Sequence, residues 1–379
     1  MKTHIKLVIA FFLIVIILML AVFQMDKIVR KDIAKHDLQH LTHQIESILQ
    51  KGLSQVNADL LYLSSQSKAK EVLLDQSSAD SNHLSDEYTT FSNLNKRYSQ
   101  IRLLDLAGNE VFRMDQVRGE AVRISSDSLQ NKANRYYFKE AKKLKNGEVY
   151  QSLFDLNVEH GVVEIPYRPT IRFATPISDF NKNIIGYLIL NLDATSILNR
   201  IYKRVKGKLG SFSIVNKSGD YLLSNNPEQN WGFMFNKPEY TLPRQHPEVW
   251  ERVKAPSAEK QFTIDDKFYT FQEVCGSYLC NEVMDELKMK ADATDMPWIV
   301  IGEVDESQMI GVLWWQNIWP YVITILLTLL ALITLRISSR LSDSIDLLRN
   351  RERLLERTNF RFEKLLESVP EGLIVVNSY

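Results

Sequence analysis

Residues 307–335 hold no charged side chain in 29 positions, and that run dictates how the rest of the chain can be organised. Its apolar heart, 318–335, would form roughly 27 Å of helix at about 1.5 Å per residue, close to the hydrocarbon thickness of a bilayer. Trp314, Trp315, Trp319 and Tyr321 crowd one end, where amphipathic rings favour the headgroup region. Arg336, Arg340, Arg349, Arg351, Arg353 and Arg357 lie beyond the other end, so the positive-inside rule puts the chain after Leu335 in the cytoplasm. Pro320 falls in the first turn, where its missing N–H costs least. A buried helix of a soluble protein is the alternative reading.

A second uncharged run, residues 7–25, comes after Lys2 and Lys6. It is long for a signal-peptide core, and residues 21–25 (Ala-Val-Phe-Gln-Met) offer no small-x-small cleavage pattern, which favours an uncleaved anchor. Lys27, Arg30 and Lys31 leave its own orientation ambiguous, and the later run decides it. Basic and acidic residues balance at 46 each, so no overall field argues for a nucleic-acid partner. The expected order is a cytoplasmic tail (1–6), a transmembrane helix (7–25), an external stalk helix (26–75), a membrane-distal module (76–206) and a membrane-proximal module (207–306). A second transmembrane helix (312–335), a cytoplasmic signalling helix (336–361) and the start of a further domain (362–379) complete it. The strand-like ending at Tyr379 suggests a longer protein.

Outside the membrane the pattern begins as helix. Leu38, Leu41, Ile45, Ile48, Leu53, Val56, Leu60 and Leu63 form one apolar stripe over residues 26–74. His36, His40 and His43 share a face of it, an arrangement that binds zinc or reports pH in some settings. With no Cys or carboxylate completing the set, a solvated face is the expected reading. Residues 76–82 read as a loop and 88–98 as a shorter helix. The period then changes to two. Residues 101–113 are two strand-like runs joined at Ala-Gly-Asn, and residues 212–224 repeat the design around Ser-Gly-Asp. A third beginning appears at 372–378, and recurrence of one design suggests one domain type used repeatedly. Helices at 135–145 and 194–206 and strands at 149–153, 162–165, 170–177, 184–192, 262–264, 267–274 and 298–304 complete an α+β, antiparallel pattern.

After the second apolar run, Leu341, Leu348, Leu355 and Phe362 fall seven apart, with Ile345 and Leu366 on offset positions. This is a heptad seam interrupted by Glu352 and Asn359, which favours a loosely held parallel dimer over a lone amphipathic helix on the membrane.

Residues 135–141 (Arg-Tyr-Tyr-Phe-Lys-Glu-Ala), 147–152, 171–177 and 186–193 resemble the double-Cache periplasmic sensor of bacterial histidine kinases, diguanylate cyclases and chemoreceptors. The likeness runs over residues 33–306, and residues 362–377 are similar to the opening of a cytoplasmic PAS domain. It implies two tandem PAS-like modules on one long helix, flanked by two transmembrane helices in the bacterial inner membrane. The distal module would hold a ligand. The family's ligand-holding Arg and aromatics fall on Arg135, Tyr137 and Phe138, and a later tyrosine on Tyr150. The acidic residue that receives an amine falls on Asn191, with Asp193 two residues on, and an amide cannot match a carboxylate for a desolvated ammonium.

The residues themselves agree. Parity in 187–193 separates a leucine face from one carrying Asn191 and Asp193, suited to a pocket. Arg135 and Arg172 are candidate carboxylate clamps, and Tyr150 and Ser152 would add hydroxyls; surface pairing of both arginines with Asp155, Glu164 or Asp179 is the alternative. The reading is a receptor for a small carboxylate or amino-acid-like ligand, without cofactor or metal, signalling through its second span to a histidine kinase or, next, a cyclase. A protein-binding or structural membrane module is the alternative. No phosphate loop, HExxH or nucleophile elbow marks the chain as an enzyme in itself.

Cys275 and Cys280, the only cysteines, are expected to form a local disulfide outside the membrane, since two ligands alone make no structural zinc site. The closed loop would stabilise by roughly 2 kcal/mol in the chain-entropy model. Mass spectrometry of membranes alkylated without reductant should find neither thiol labelled; two free thiols would rule the bridge out.

Overall fold

Leucine and isoleucine at three- and four-residue steps turn one side of the long helix α1 (Lys2–Ser65) into an apolar seam. The structure is a computed structural model that describes residues 2–75, 78–159, 161–255, 259–274, 298–311 and 318–367. Cys275, Cys280, Trp314, Trp315 and the strand expected at 372–378 lie outside the described residues. The chain divides into two compact units, residues 30–311, and residues 1–29 with 312–379.

In the larger unit, α1 is followed by α2 (Ser67–Leu74) and α3 (Ser78–Leu94), with extended backbone at Gln66 breaking the first two apart. The first module then runs β1 (Tyr98–Leu104), β2 (Glu110–Val117), β3 (Glu120–Arg123), α4 (Tyr136–Ala141), β4 (Tyr150–Leu156), β5 (Val158–Glu159), β6 (Val162–Val163), β7 (Pro169–Ser178) and β8 (Ile184–Asp193). Six strands pair antiparallel in the order β3-β2-β1-β8-β7-β4, while β5 and β6 form a separate ribbon. After α5 (Thr195–Val205) the second module runs β9 (Ser211–Val215), β10 (Tyr221–Leu223), α6 (Leu242–Gln245), α7 (Pro247–Lys254), β11 (Gln261–Ile264), β12 (Lys267–Val274), β13 (Trp298–Asp305) and α8 (Glu306–Gly311). Its five strands are ordered β10-β9-β13-β12-β11. This is the expected α+β class, with helix and antiparallel sheet segregated.

One core joins these pieces. Leu38, Ile45, Leu53, Val56 and Leu60 of α1 belong to the same buried cluster as Leu188 and Leu190 of the first sheet and Phe268 and Val300 of the second. Leu49, not Ile48, takes the seam position after Ile45: Leu49 is 1% exposed, whereas Ile48 is only partly buried. Four-residue steps from Ile45 to Leu49 to Leu53 keep the seam aligned through this stretch. Where α1 crosses β13 the strand has Gly302, and a Cβ there would stand 3.1 Å from Leu38 Cγ and 3.2 Å from Thr42 Cγ2. His36, His40 and His43 lie exposed on the outer side of the helix.

Both hairpins are built alike. Asp105 Oδ1 accepts from the N–H groups of Ala107 (2.9 Å) and Asn109 (2.8 Å). Asn216 Oδ1 accepts from Ser218 and Asp220 (2.9 Å each). Gly108 and Gly219 stand in these turns at φ +87° and +86°, a region glycine enters without strain. Each glycine carbonyl then accepts from the segment that covers its sheet: Lys132 N–H at 2.7 Å and Leu242 N–H at 2.8 Å. Asp265 and Asp266, at φ +49° and +59°, make the tight turn expected between β11 and β12.

Three expectations change. Residues 78–82 are the first turns of α3 rather than loop, and this helix ends at Leu94, so Tyr98 opens β1. The helix expected over 135–145 is only α4, and Gly147 stands at φ +81° beyond it. The strand expected over 162–165 is only β6, and it pairs with β5, a two-residue strand carrying Glu159 that the sequence did not mark.

In the smaller unit, α9 (Trp319–Glu367) is the one helix among the described residues long and apolar enough to cross a membrane, by its stretch Tyr321–Glu367. Ile323, Leu327 and Leu330 stand more than half exposed, as do Leu341, Leu348, Leu355 and Phe362 of the heptad. Tyr321 Oη donates to Asp26 Oδ2 at 2.9 Å.

The seam makes a direct prediction. Ile45→Ala should cost about 2–5 kcal/mol of unfolding free energy by opening a cavity under both sheets, whereas His43→Ala should stay within about 0.5 kcal/mol. Urea melts of the detergent-solubilised chain compare them.

Candidate ligand site

Strand alternation gives the six-stranded sheet two unlike faces. Ile101, Leu103, Phe112, Ile171 and Phe173 belong to the core shared with α1. On the other face Arg172 and Asn191 lie directly opposite each other on β7 and β8, beside Gln100 and Arg102 of β1. Tyr137, Phe138 and Ala141 of α4 cover part of this face together with Tyr150, Ala174 and Tyr187. Phe138 meets Tyr187 edge-on at 5.5 Å. Arg135 stands at the N-cap of α4, so one short helix carries both the cation and its aromatic neighbours.

The two arginines singled out from sequence differ in state. Arg172 is 2% exposed and fully engaged. It donates to Asp155 Oδ1 at 2.6 Å, Tyr136 Oη at 3.3 Å and Asn157 Oδ1 at 3.3 Å, while Tyr136 Oη donates to Asp155 Oδ2 at 2.8 Å. Burial alone would lower the guanidinium pKa, but the neighbouring Asp155 carboxylate outweighs it and holds the group above its ordinary value. Arg135 is half-buried, and among the described residues it has no carboxylate partner. Its guanidinium sits 5.9 Å from the Tyr137 ring centre, and that of Arg172 sits 5.5 Å from the same ring. Tyr137 is therefore a wall shared by one satisfied and one unsatisfied cation.

The other predicted residues occupy different settings. Ser152 Oγ donates to the Leu153 carbonyl at 2.7 Å and accepts from the Arg172 N–H at 2.8 Å, so its hydroxyl serves the backbone. Asn191 Nδ2 donates to Gln100 Oε1 at 2.7 Å, and Asn191 Oδ1 lies 3.5 Å from Arg102 Nη1. Tyr150 belongs to the aromatic wall. Asp193 is set apart from this group: it accepts from Thr195 N–H at 2.9 Å at the start of α5 and lies 3.8 Å from Arg168 Nε.

Beyond Asn191 lies a charge cluster that sequence reasoning did not find. Arg102 Nε is 2.9 Å from Glu110 Oε1, and Arg102 Nη2 is 3.4 Å from Glu159 of the β5–β6 ribbon. Arg113 grips Asp115 bidentately at 2.8 and 2.7 Å. Lys132 Nζ lies 3.8 Å from Glu110; burial, then the Arg102 charge, push its pKa down to about 8. Glu159 is held below the usual carboxylate range: burial opposes the shift, and Arg102 with a Gln100 hydrogen bond overcomes it. Arg102, Arg113 and Lys132 thus face Glu110, Asp115 and Glu159, and the cluster is balanced. The one available signal was the alternation of Gln100 and Arg102 with Ile101 and Leu103 on a strand otherwise read as half of a hairpin.

A family model described as bacterial histidine kinase, sensor domain, matches residues 33–276. Among solved structures, the extracellular domain of vpHK1S-Z8, described as a histidine kinase, is 21% identical with a TM-score of 0.57, covering 75% of this chain and 94% of that one. A domain described as from a sensory box/GGDEF family protein of Vibrio parahaemolyticus is also 21% identical, with a TM-score of 0.57 over 75% of this chain and 99% of that one. The ligand-binding domain of the Campylobacter jejuni chemoreceptor Tlp3, in complex with L-valine, is 9% identical with a TM-score of 0.47, over 75% and 98%. A comparison with curated proteins gives no match.

The geometry separates a structural arginine from an available one. Arg172→Met should cost about 3–5 kcal/mol, because Asp155 is left buried and uncompensated, and adding Asp155→Leu should recover most of the loss. Chemical denaturation of the single and double variants measures this; a fully additive pair would show that Asp155 is not what Arg172 holds.

Proposed function

Because the chain belongs to the bacterial histidine kinase sensor-domain family, we propose that its first module binds a small carboxylate-bearing molecule in the periplasm and signals across the inner membrane. The observation that carries this reading is Arg135. Arg172, Arg102, Arg113 and Lys132 on the sheet face each have a carboxylate within ion-pair distance, whereas Arg135, half-buried beside the Tyr137 ring, has none among the described residues. A guanidinium fork beside an aromatic ring matches a carboxylate in shape and charge. Tyr137 and Phe138 on the same helix, with Tyr150 across from them, offer the apolar wall that such a pocket needs. At Asn191, by contrast, the nearest charge is the Arg102 guanidinium, which disfavours an ammonium group. A simple carboxylate fits this arrangement better than an α-amino acid.

Two membrane spans, residues 7–25 and 312–335, would hold the sensor at the bilayer, and the heptad of Leu341, Leu348, Leu355 and Phe362 would pair two copies. Ligand acts by binding one external arrangement better than another, since only differential affinity shifts a population. β13 leads in sequence to the second span, so a change there is passed to the cytoplasmic helix and to a kinase, or next a cyclase, output. A protein-binding role for the first module is the second reading, favoured by Val162 and Ile165, which stand 69% and 82% exposed near the β5–β6 ribbon.

The test is a thermal-shift screen of the purified chain in detergent against acetate, lactate, pyruvate, succinate and the amino acids. A ligand at about one hundred times its Kd should stabilise by about 2.7 kcal/mol, and Arg135→Ala should abolish the shift. A hit whose shift survives Arg135→Ala would sink the carboxylate site, and no hit at all would favour the protein-binding reading.

A further inference from the structure

The second sheet has a covered face of its own. Between it and α6–α7 lies a cavity of about 230 Å³. Its floor includes Ser211 and Ser213 of β9, Tyr221 of β10, Tyr269 of β12 and Glu303 of β13. This is below the roughly 300–1,000 Å³ typical of drug-sized ligands, so an occupant would be small.

Several polar groups around this space have no protein partner among the described residues and open onto the cavity. Tyr221 and Tyr269 are each only 4% exposed, yet among the described residues neither hydroxyl makes a hydrogen bond. Both residues line the cavity, so their hydroxyls are open to an occupant. Ser213 likewise has none among the described residues. Glu303 Oε1 accepts from Ser211 Oγ at 2.8 Å and lies 4.0 Å from Lys267 Nζ, which leaves Oε2 without a protein donor among the described residues. Burial, then the nearby Glu303 charge, push both phenols up to about 12, so each keeps its proton at neutral pH and presents a donor. Overhead, Gln229 Nε2 donates to Gln245 Oε1 at 3.1 Å and closes the far side with amides.

We propose that the membrane-proximal module is a second binding site, which takes a small organic ammonium ion between Glu303 and the rings and hydroxyls of Tyr221 and Tyr269. One carboxylate oxygen with no counter-cation in hydrogen-bond contact is the acceptor for an N⁺–H donor. Two tyrosine rings beside it favour a cation over a neutral solute. The free phenol and serine hydroxyls would serve an oxygen on the same ligand. The site has the opposite charge preference to that proposed around Arg135, so the two modules would read chemically distinct solutes.

Isothermal titration of the full chain in detergent micelles, with ethanolamine, putrescine and uncharged glycerol as probes, tests this. An amine should bind and glycerol should not. Glu303→Gln should weaken the amine at least roughly tenfold, as expected for loss of a charge-assisted contact. Ser213→Leu, which fills the cavity and leaves the charge in place, should do the same and guards against a Glu303 variant that misfolds. Arg135→Ala should leave amine binding unchanged, which keeps this outcome separate from failure of the distal site. No amine binding by the wild type, equal binding of glycerol, or undiminished amine binding in both Glu303→Gln and Ser213→Leu would overturn the proposal.

Discussion

Neither sheet of this protein can bury its inner face alone, and α1 is what both use to do it. Ile45, Leu49, Leu53, Val56 and Leu60 are all at most 2% exposed, and their cluster contains strands from both modules. A layered domain needs a second layer to cover an apolar sheet face, and here one helix provides it twice. The modules also meet directly: Phe154 of the first sheet packs against Trp231 and Trp298 of the second module at 5.0 Å each. Leu156 N–H points at Met234 Sδ at 3.0 Å. The two sheets are thus in contact both through packed rings and through the helix they share.

With the apolar faces committed to α1, the opposite faces are left for polar chemistry, and the two modules use them differently. In the first, charge is dense and almost wholly paired; Arg172–Asp155 is buried and hydrogen-bonded, and Arg102 pairs with buried Glu110 and half-buried Glu159. Buried ion pairs of this kind contribute little net stability but fix geometry. They make a rigid floor, against which a single uncompensated group such as Arg135 has a defined position. In the second module the face is mostly apolar, with Ile299, Ile301, Phe271 and Val249 in one cluster, and its few polar groups stand out for lack of partners.

Much of this was legible in the chain itself, for a physical reason. Strands announce themselves by parity and turns by glycine and Asx residues, so the boundaries of β7, β8 and β12 were readable to within a residue or two. The seam of α1 was readable too, apart from the exchange of Ile48 for Leu49. What local pattern cannot supply is the partner across the sheet. Asn191 and Gln100 are 91 positions apart and Arg102 and Asn191 are 89 apart, yet they share one network. The same blindness made Arg172 look like a free clamp, because Asp155 was visible only as a surface alternative. Arg135 sits on the same short helix as its aromatic neighbours, so their proximity was readable from local sequence alone.

The paired glycines at the hairpin turns have one more consequence. Gly108 and Gly219 each bond, through their carbonyls, the segment that roofs their own sheet. A Cβ at Gly108 would sit 2.8 Å from Ala133 N and from Phe138, and one at Gly219 would sit 2.4 Å from Pro243. Headroom above each sheet is therefore set at the rim, by a backbone contact, rather than by the side chains that face the space. Under a ceiling fixed in this way, floor residues can be exchanged one at a time while the clearance stays constant.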